Sequence, residues 1–261
     1  MFSDFVFDGQ RASDYGLIFC LFDTEYQPAT GGEAEFETVK PPNSDDFVFY
    51  GSQYNTPLEW TFSVMKNNCS GRADSFSTQE ERLIRKWLER RDGYYWFHFC
   101  KDDDDEDNIL YKVQIKVASH IIGGKTVGFD LAVTSNSAFG YTELQKRNAT
   151  ISSSNPLTLY IDTDTNAYIL PYITIAGSGN FYISNDNDPV RNYSSGKAAS
   201  FTGASGTITM DSENLILDGL SLDKFNGYFL RLVDGENVIR TNSYYDISLE
   251  IYYREVRRAI T

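Results

Sequence analysis

Apolar side chains alternate with polar ones near the carboxyl end of the chain. Over residues 247–253 an apolar side chain occupies every second position, with Ser248, Glu250 and Tyr252 in between. Successive side chains of a strand point to opposite faces, so this period of two predicts a half-buried antiparallel strand. Before it, Asp234 and Gly235 follow an apolar run, and Asp-Gly is typical of hairpin turns. The pattern predicts that the chain ends by closing a β-sandwich or jelly roll.

Short apolar runs of the same kind recur along the whole chain. In the first half they predict two strands around a turn at Asp8 and Gly9, followed by strands at 47–50, 58–65, 94–99, 109–117 and 127–134. In the second half they predict strands at 157–161, 173–175, 181–183, 207–210, 215–217, 228–233 and 247–253. A spacing of about 8–12 residues, as in the second half, is typical of a sandwich.

A single segment, at about residues 78–91, has the periodicity of a helix. Ser77 and Glu80 have the spacing of a capping box, and Gly93 provides a stop. The spacing predicts one apolar face, made of Leu83, Ile84, Trp87 and Leu88. The opposite, solvated face is predicted to carry Arg82, Arg85, Lys86 and Arg90.

The polar stretch 135–156 is rich in Ser, Asn and Thr and is typical of a domain boundary. We predict a first domain at 1–140, a linker at 141–156 and a second domain at 157–261, whose last strand returns to the first domain or stays in the second. The predicted fold class is all-β with one helix in the first domain and two β-sandwich domains. Residues 28–46, with a Gly-Gly pair and a Pro-Pro pair, are predicted to be either disordered or an interaction arm.

Composition limits the classes of function. The 261 residues carry a net charge of −14, which disfavours nucleic acid and anionic lipid as partners. Cys20, Cys69 and Cys100 are too few and too scattered for a disulfide framework or a zinc site, and the odd count fits a reducing cytosol. The first ten residues lack the features of a signal peptide, and no apolar run has the roughly 18 residues of a membrane span.

No residue pattern predicts an enzyme. The two histidines, His98 and His120, lie in apolar, strand-like stretches without convergent partners, so we interpret them as structural. No nucleophile elbow or dinucleotide fingerprint is present. We therefore predict no catalytic, cofactor-binding or metal-binding residues, and no cofactor.

Four segments together resemble a known family. They are Phe-Val-Phe-Asp-Gly at 5–9 with Asp-Tyr-Gly-Leu at 14–17, the helical sequence at 80–88 with Gly-Tyr at 93–94, and the segments 171–180 and 235–239. In this order they resemble the distal tail (Dit) proteins of siphophages, over nearly the whole chain.

The resemblance implies a structural adapter rather than an enzyme. Distal tail proteins form a hexameric ring at the tail tip of a long non-contractile tail, with a ring-forming first domain and a galectin-like second domain. The implied partners are further copies of the chain, the tail tube protein and the tail-associated hub protein, with the tape measure and receptor-binding proteins as further candidates. The implied location is the distal tip of the virion, after assembly in the host cytoplasm. DNA only passes through the lumen, and no membrane partner is implied.

Two questions stay open at this level. The carboxylates at 102–107 predict an exposed loop, a lining of the ring lumen or, less well because the spacing is wrong, a calcium site. The alternative function is that of a soluble carbohydrate-binding β-sandwich protein, with aromatic side chains stacking on sugars. The candidates for that stacking are Tyr168, Tyr172, Tyr193 and Tyr244.

Overall fold

The computed structural model describes residues 2–21, 27–66, 74–101 and 109–258. The chain divides into two compact units, Met1–Tyr141 with Arg258–Thr261, and Thr142–Arg257. Strands dominate both units, and the described residues contain one α-helix, which lies in the first unit. The predicted all-β fold with one helix in the first of two domains is therefore confirmed.

The described part of the first unit has eleven strands and the helix α1. They are β1 (Phe2–Phe7), β2 (Gln10–Arg11), β3 (Leu17–Cys20), β4 (Gln27–Thr30), β5 (Glu35–Val39), β6 (Val48–Gln53), β7 (Glu59–Lys66), α1 (Thr78–Leu88), β8 (Tyr95–Lys101), β9 (Tyr111–Ile122), β10 (Lys125–Ser135) and β11 (Gly140–Tyr141). The predicted turn between β1 and β2 is present, with positive φ at both Asp8 and Gly9.

Eight of these strands form one antiparallel sheet that curls around the core. Its order is β2-β1-β8-β9-β10-β7-β3, and β4 also pairs with β7. Although β1 and β3 lie near opposite ends of this order, the rings of Phe5 and Phe19 are 5.9 Å apart. The ring centroids of Phe5 and of Phe62 on β7 are 5.4 Å apart. The alternating aromatic side chains of these strands therefore share one buried core.

Helix α1 begins where the sequence predicts and ends three residues early. The hydroxyl of Ser77 accepts the N–H of Glu80, and the Glu80 carboxylate accepts the N–H of Ser77 at 2.7 Å, which is the predicted capping box. Beyond Leu88 the chain leaves the helix, and Arg90 forms an ion pair with Asp8 at 2.5 Å. This tertiary contact holds Arg90 outside the helix.

The buried face of α1 is narrower than predicted. Ile84, Trp87 and Leu88 are buried, as expected, but Leu83 is 48% exposed and its assignment to the core is wrong. The three buried positions cover about 100° of the helix circumference, and Leu83 lies outside that arc. The helix therefore presents an apolar side chain to solvent.

The second unit contains the remaining strands. They are β12 (Gln145–Ile151), β13 (Leu157–Ile161), β14 (Tyr172–Asn185), β15 (Ala199–Asp211), β16 (Ile216–Asp218), β17 (Gly235–Thr241), β18 (Ile247–Tyr253) and β19 (Val256–Arg257). The order along the sheet is β12-β18-β14-β15-β16, and β17 joins β13 to β14. The last long strand, β18, therefore lies between two strands of the second unit.

The long strands β14 and β15 pair with each other, and β14 changes its other partner along its length. The first part of β14 pairs with β18 and its last part with β17, and its pairing with β15 shifts between Gly179 and Phe181. A Cβ atom at Gly177 would lie 3.2 Å from the Phe181 ring, so the chain is closely packed around this shift in pairing. Two strands were predicted here at 173–175 and 181–183, and they are the two ends of one bent strand.

The linker predicted at 141–156 is wrong for most of its length. Residues 145–151 form β12, which pairs with β18 over its full length, from Gln145 opposite Tyr253 to Ile151 opposite Ile247. Only Ile151 of this polar strand is buried, so its own sequence gives little sign of a strand. The division between the units falls instead between Tyr141 and Thr142.

A second correction concerns the predicted hairpin turn at Asp234 and Gly235. Gly235 begins strand β17, whereas the predicted strand 228–233 contributes only an isolated bridge, between Ile169 and Leu232. The buried side chain of Asn237 accepts the N–H of Val233 and donates to its C=O, both at 2.8 Å. A side chain thus provides the hydrogen bonds that a neighbouring strand was expected to provide.

Candidate interaction surfaces

Strands β5 and β6 form a two-stranded sheet of their own, and we call residues 35–53 the arm. In the register of the arm, Glu35 lies opposite Gln53 and Val39 opposite Val48. The expectation for 28–46 was disorder or an interaction arm. The structure shows two strands there, because β4 joins the large sheet and β5 belongs to the arm.

The arm is fixed at its base by close backbone contacts. Gly31 has a φ of +89°, and a side chain there would lie 2.1 Å from the carbonyl oxygen of Pro57. Where the chain leaves β6 at the same base, the Tyr54 ring packs edge-on against the Phe139 ring, with centroids 4.7 Å apart. The side-chain amide of Asn55 donates to the Glu35 carboxylate at 2.8 Å. The arm therefore leaves the first unit in a defined direction.

The two faces of the arm differ in chemistry. One face is aromatic: Phe36 and Phe49 lie 5.8 Å apart, and the Lys40 ammonium lies 5.8 Å from the ring of Phe47. Because side chains alternate along a strand, the other face carries the residues between these. That acidic face carries Glu35, Glu37 and Val39 on β5 and Val48, Gly51 and Gln53 on β6.

Neither face of the arm is covered by the residues that the structure describes. Phe36, Phe47 and Phe49 are 69%, 66% and 60% exposed, and every side chain of β5 is exposed. Burial of one such ring stabilises by about 1.5–3 kcal/mol, and an isolated two-stranded hairpin is at best marginally stable in water. An exposed apolar surface of this kind indicates a site for another protein. A signal for it was present in the sequence, since Phe47-Val48-Phe49-Tyr50 is continuously apolar instead of alternating.

The histidines do not form a catalytic arrangement in the described residues. His98 lies on β8 opposite Val6. His120 Nδ1 is 3.9 Å from an oxygen of Asp130, whose other oxygen accepts the hydroxyl of the buried Ser63 at 2.6 Å. In a catalytic triad the serine hydroxyl donates its hydrogen bond to the histidine, whereas here the Ser63 hydroxyl donates to the carboxylate of Asp130. Ser63 is therefore not activated as a nucleophile by His120.

The two described cysteines are also poorly suited to nucleophilic chemistry. Burial, followed by the nearby negative charge of Asp130, raises the pKa of the Cys20 thiol to about 12. Burial likewise raises the pKa of Cys100. The thiolate is the reactive form of cysteine, so both thiols are protonated and slow to react near neutral pH.

Within the described ranges, no three acidic, histidine or cysteine side chains are grouped so as to hold a metal ion. The acidic run at 102–107 lies outside those ranges, so its predicted roles stay predictions. No helix in the described part of the chain is long and apolar enough to span a membrane.

The four tyrosines of the carbohydrate alternative do not come together. Tyr168 stacks on the guanidinium of Arg231 at 3.5 Å, and Tyr193 stacks on Tyr182 at 4.5 Å. Tyr172 packs edge-on against Tyr252, and Tyr244 is exposed in a loop. No ring contact in the described structure joins any two of the four candidates. The arrangement therefore gives no common stacking platform for a sugar.

Comparison with protein families gives two matches that together cover nearly the whole chain. A family described as a phage tail protein N-terminal domain matches residues 1–137. A family described as a phage tail C-terminal domain matches residues 139–253. No curated protein sequence matches the chain.

Solved structures with the same fold include the Dit protein of SPP1, described as a paradigm of the hub adsorption apparatus in phages that infect Gram-positive bacteria. The similarity covers 98% of this chain and 99% of that one, with a TM-score of 0.63 and 11% identity. Chains of the phage p2 baseplate in its activated conformation, with Sr or with Ca, have TM-scores of 0.48 and 0.49 at 10% and 8% identity. They cover 90% and 99% of this chain, and 91% and 99% of their own. The predicted resemblance to distal tail proteins is thus confirmed for the fold.

Proposed function

The chain belongs to the phage tail proteins, and from this premise we propose that it is the distal tail adapter of a long non-contractile tail. In this role it forms a hexameric ring at the tail tip. The ring joins the tail tube protein on one side to the tail-associated hub protein of the baseplate on the other. The tape measure and receptor-binding proteins are further candidate neighbours, and DNA passes through the lumen.

The observation that carries this proposal is the arm. It is rooted in the first unit by Gly31 and Tyr54, and it exposes aromatic side chains that no other described residue covers. A protein with one protruding surface and a different receiving surface associates head to tail. Such an association closes into a ring or continues as a filament, and an adapter around a DNA channel requires the ring.

The fold supports the same proposal. The full-length likeness to the SPP1 Dit protein includes both units, in the same chain. The geometry of the histidines, serine and cysteines described above gives no reason to assign a reaction. We therefore propose a structural role without catalysis, exercised in the virion after assembly in the host cytoplasm.

Imaging of virions tests this location. A copy of the protein labelled at its carboxyl end, incorporated during infection, is expected at the distal tail tip of every virion. Electron microscopy with a gold-conjugated antibody against the label gives the position, and virions without the label provide the control. Label along the tail tube or on the capsid, with none at the tip, would contradict the proposal.

A further inference from the structure

The Tyr193 ring lies flat on the second unit with one of its faces open. It is stacked on Tyr182 of β14, with ring centroids 4.5 Å apart and an angle of 17° between the ring planes. Tyr193 is nevertheless 60% exposed. A ring that is covered on one face by a parallel ring has its opposite face available. Tyr193 therefore presents a flat aromatic surface to solvent.

The loop that carries Tyr193 is fixed by a buried side chain beneath it. The fully buried carboxylate of Asp188 accepts two backbone N–H groups of the loop, each at 2.9 Å. The side-chain amide of Asn192 donates to the carbonyl of Asp188 at 2.8 Å, and its oxygen accepts the N–H of Ser195, also at 2.8 Å. A ligand that stacks on Tyr193 would not have to order this loop, so less binding free energy is lost to conformational entropy.

A polar pair of side chains lies beside the two rings. Arg240 on β17 is opposite Ser184 in the register, and Ser184 and Tyr182 point to the same face of β14. The Arg240 guanidinium donates to the carboxylate of Asp186, and the two side chains are 48% and 37% exposed. Burial, and then the nearby Tyr193 and Asp186, raise the pKa of Tyr182, which agrees with this placement. The guanidinium keeps further N–H groups, and the carboxylate further lone pairs, for a ligand.

We propose that the open face of Tyr193, with the ion pair of Asp186 and Arg240 beside it, binds a neutral pyranose unit of a glycan chain. The C–H bonds on one face of a pyranose form an apolar surface that packs on an aromatic ring. Its hydroxyl groups both donate and accept hydrogen bonds, so they match a carboxylate and a guanidinium held side by side. An aromatic face with an ion pair at its edge provides both kinds of contact.

The openness of the site favours a unit of a chain over a free sugar. Sites for small molecules are concave and enclose most of the ligand. The Tyr193 face is open to solvent, so the neighbouring units of a glycan can extend away from it.

Charge favours a neutral glycan over other ligands that stack on aromatic rings. Residues 186–198 and 240–246 carry three acidic and three basic side chains, so their formal charges cancel. The whole chain carries −14, which repels nucleotides, nucleic acid and acidic saccharides. A neutral saccharide meets no such repulsion.

The site lies within the second unit and uses neither the arm nor the ring proposed above. It also differs from the stacking platform of four tyrosines, because a single ring provides the stacking. Loss of the proposed adapter role would therefore leave this site standing, and the reverse is also true.

Isothermal titration of the full chain with neutral trisaccharides of glucose, mannose, galactose and N-acetylglucosamine tests the site. At least one of the four is expected to bind with a dissociation constant in the millimolar range or below. The matching monosaccharide is expected to bind at least about threefold more weakly, and the acidic trigalacturonate at least about tenfold more weakly. Absence of binding by all four would overturn the proposal, and so would a monosaccharide or an acidic saccharide that binds as tightly.

Substitutions place the sugar on the Tyr193 face. Tyr193→Ala is expected to lower the affinity for the trisaccharide by about tenfold or more, whereas Tyr193→Phe keeps the ring and is expected to stay within about threefold. Arg240→Gln is expected to lower the affinity by about tenfold, because it removes charged hydrogen-bond donors. Melting temperatures confirm that each variant is folded.

The matched control is Tyr160→Ala, which removes a 76% exposed ring elsewhere in the same unit. It is expected to leave the affinity within about twofold of the unaltered chain. Affinity that survives Tyr193→Ala, or that falls equally in Tyr193→Ala and Tyr160→Ala, would overturn the proposal. A surface that binds none of the sugars but is required for contact with a purified tail protein would overturn it as well.

Discussion

Trp87 is the residue through which α1 is held against the first unit. Its ring is stacked on Tyr15 at 4.3 Å and on Phe5 at 5.8 Å, and its indole N–H donates to the carbonyl of Phe7 at 2.9 Å. Only 4% of its surface is exposed. We expect Trp87→Ala to lower the free energy of unfolding by about 3–5 kcal/mol.

Urea unfolding measures this effect, and Leu83→Ala on the same helix is the matched control. Because Leu83 is half-exposed, its truncation is expected to change the free energy of unfolding of the monomer by about 0.5 kcal/mol or less. Equal effects of the two substitutions would contradict the packing described for α1.

Asp188 and Arg231 form the most deeply buried ion pair described in the second unit. Two hydrogen bonds of 2.9 and 2.8 Å join them, and the Asp188 side chain is fully buried. Burial alone would raise the pKa of Asp188, but hydrogen bonds from Arg231 and two backbone N–H groups lower it. Asp188→Asn is expected to cost about 3–5 kcal/mol of folding free energy, because it leaves a buried guanidinium unpaired.

Thermal unfolding of Asp188→Asn is best compared with that of Asp186→Asn. Asp186 lies two residues away and pairs with Arg240 on the surface, where ion pairs contribute about 0–1 kcal/mol. A larger loss of stability from the surface substitution than from the buried one would contradict this account.

Glu80 predicts a dependence of stability on pH. Hydrogen bonds from Lys66 and then from Ser77 lower the pKa of Glu80 from 4.5 to about 2. A carboxylate with a lowered pKa in the folded state contributes stability that is present above pH 4.5 and is lost as the pH falls to about 2. Glu80→Gln is therefore expected to lower the free energy of unfolding at neutral pH. It is also expected to reduce the fall in that free energy between pH 4.5 and about pH 2.

Urea unfolding at successive pH values checks the prediction for Glu80. The control Glu33→Gln, at an exposed position before the arm, is expected to leave the profile unchanged. A profile for Glu80→Gln that is parallel to that of the unaltered chain would contradict the role assigned to Lys66 and Ser77.

At the scale of elements, local signals were sufficient where a segment determines its own structure. The capping box started α1 at Thr78, the turn at Asp8 was present, and the alternation at 247–253 gave β18 with its correct bounds. Strand β12 was not predicted, because its extended conformation depends on hydrogen bonds to β18, about 100 residues away along the chain. The uncovered arm was suggested by sequence only as one of two alternatives, because exposure of a strand is a property of its surroundings.

Limited proteolysis tests the two elements that the sequence described least well. We expect cleavage first at the tip of the arm, near residues 40–46, because an exposed turn without cover is readily cut. No early cleavage is expected within β12, since its backbone is hydrogen-bonded to β18 over its whole length. Mass spectrometry of the fragments identifies the sites, and cleavage within 145–151 before the arm tip would contradict the fold of the second unit.

At the scale of the whole molecule, association through the arm must overcome electrostatic repulsion between copies of the chain. Six copies carry a charge of −84, which is six times that of one chain. This repulsion acts over distances longer than a Debye length, about 8–10 Å near physiological salt, so added salt screens it first. Ion pairs at a close contact are screened less. We therefore expect association to strengthen between low and physiological ionic strength, which light scattering at constant protein concentration measures.

The central claim is that the arm closes copies of this chain into a ring. Native mass spectrometry of the purified protein at physiological ionic strength, over a concentration series, tests it most directly. The full chain is expected to give a closed hexamer at high concentration. A variant in which a short Gly-Ser segment replaces residues 35–53 is expected to remain a monomer with an unchanged melting temperature. A hexamer formed equally well without the arm, or an open series of oligomers without a preferred six, would contradict the account.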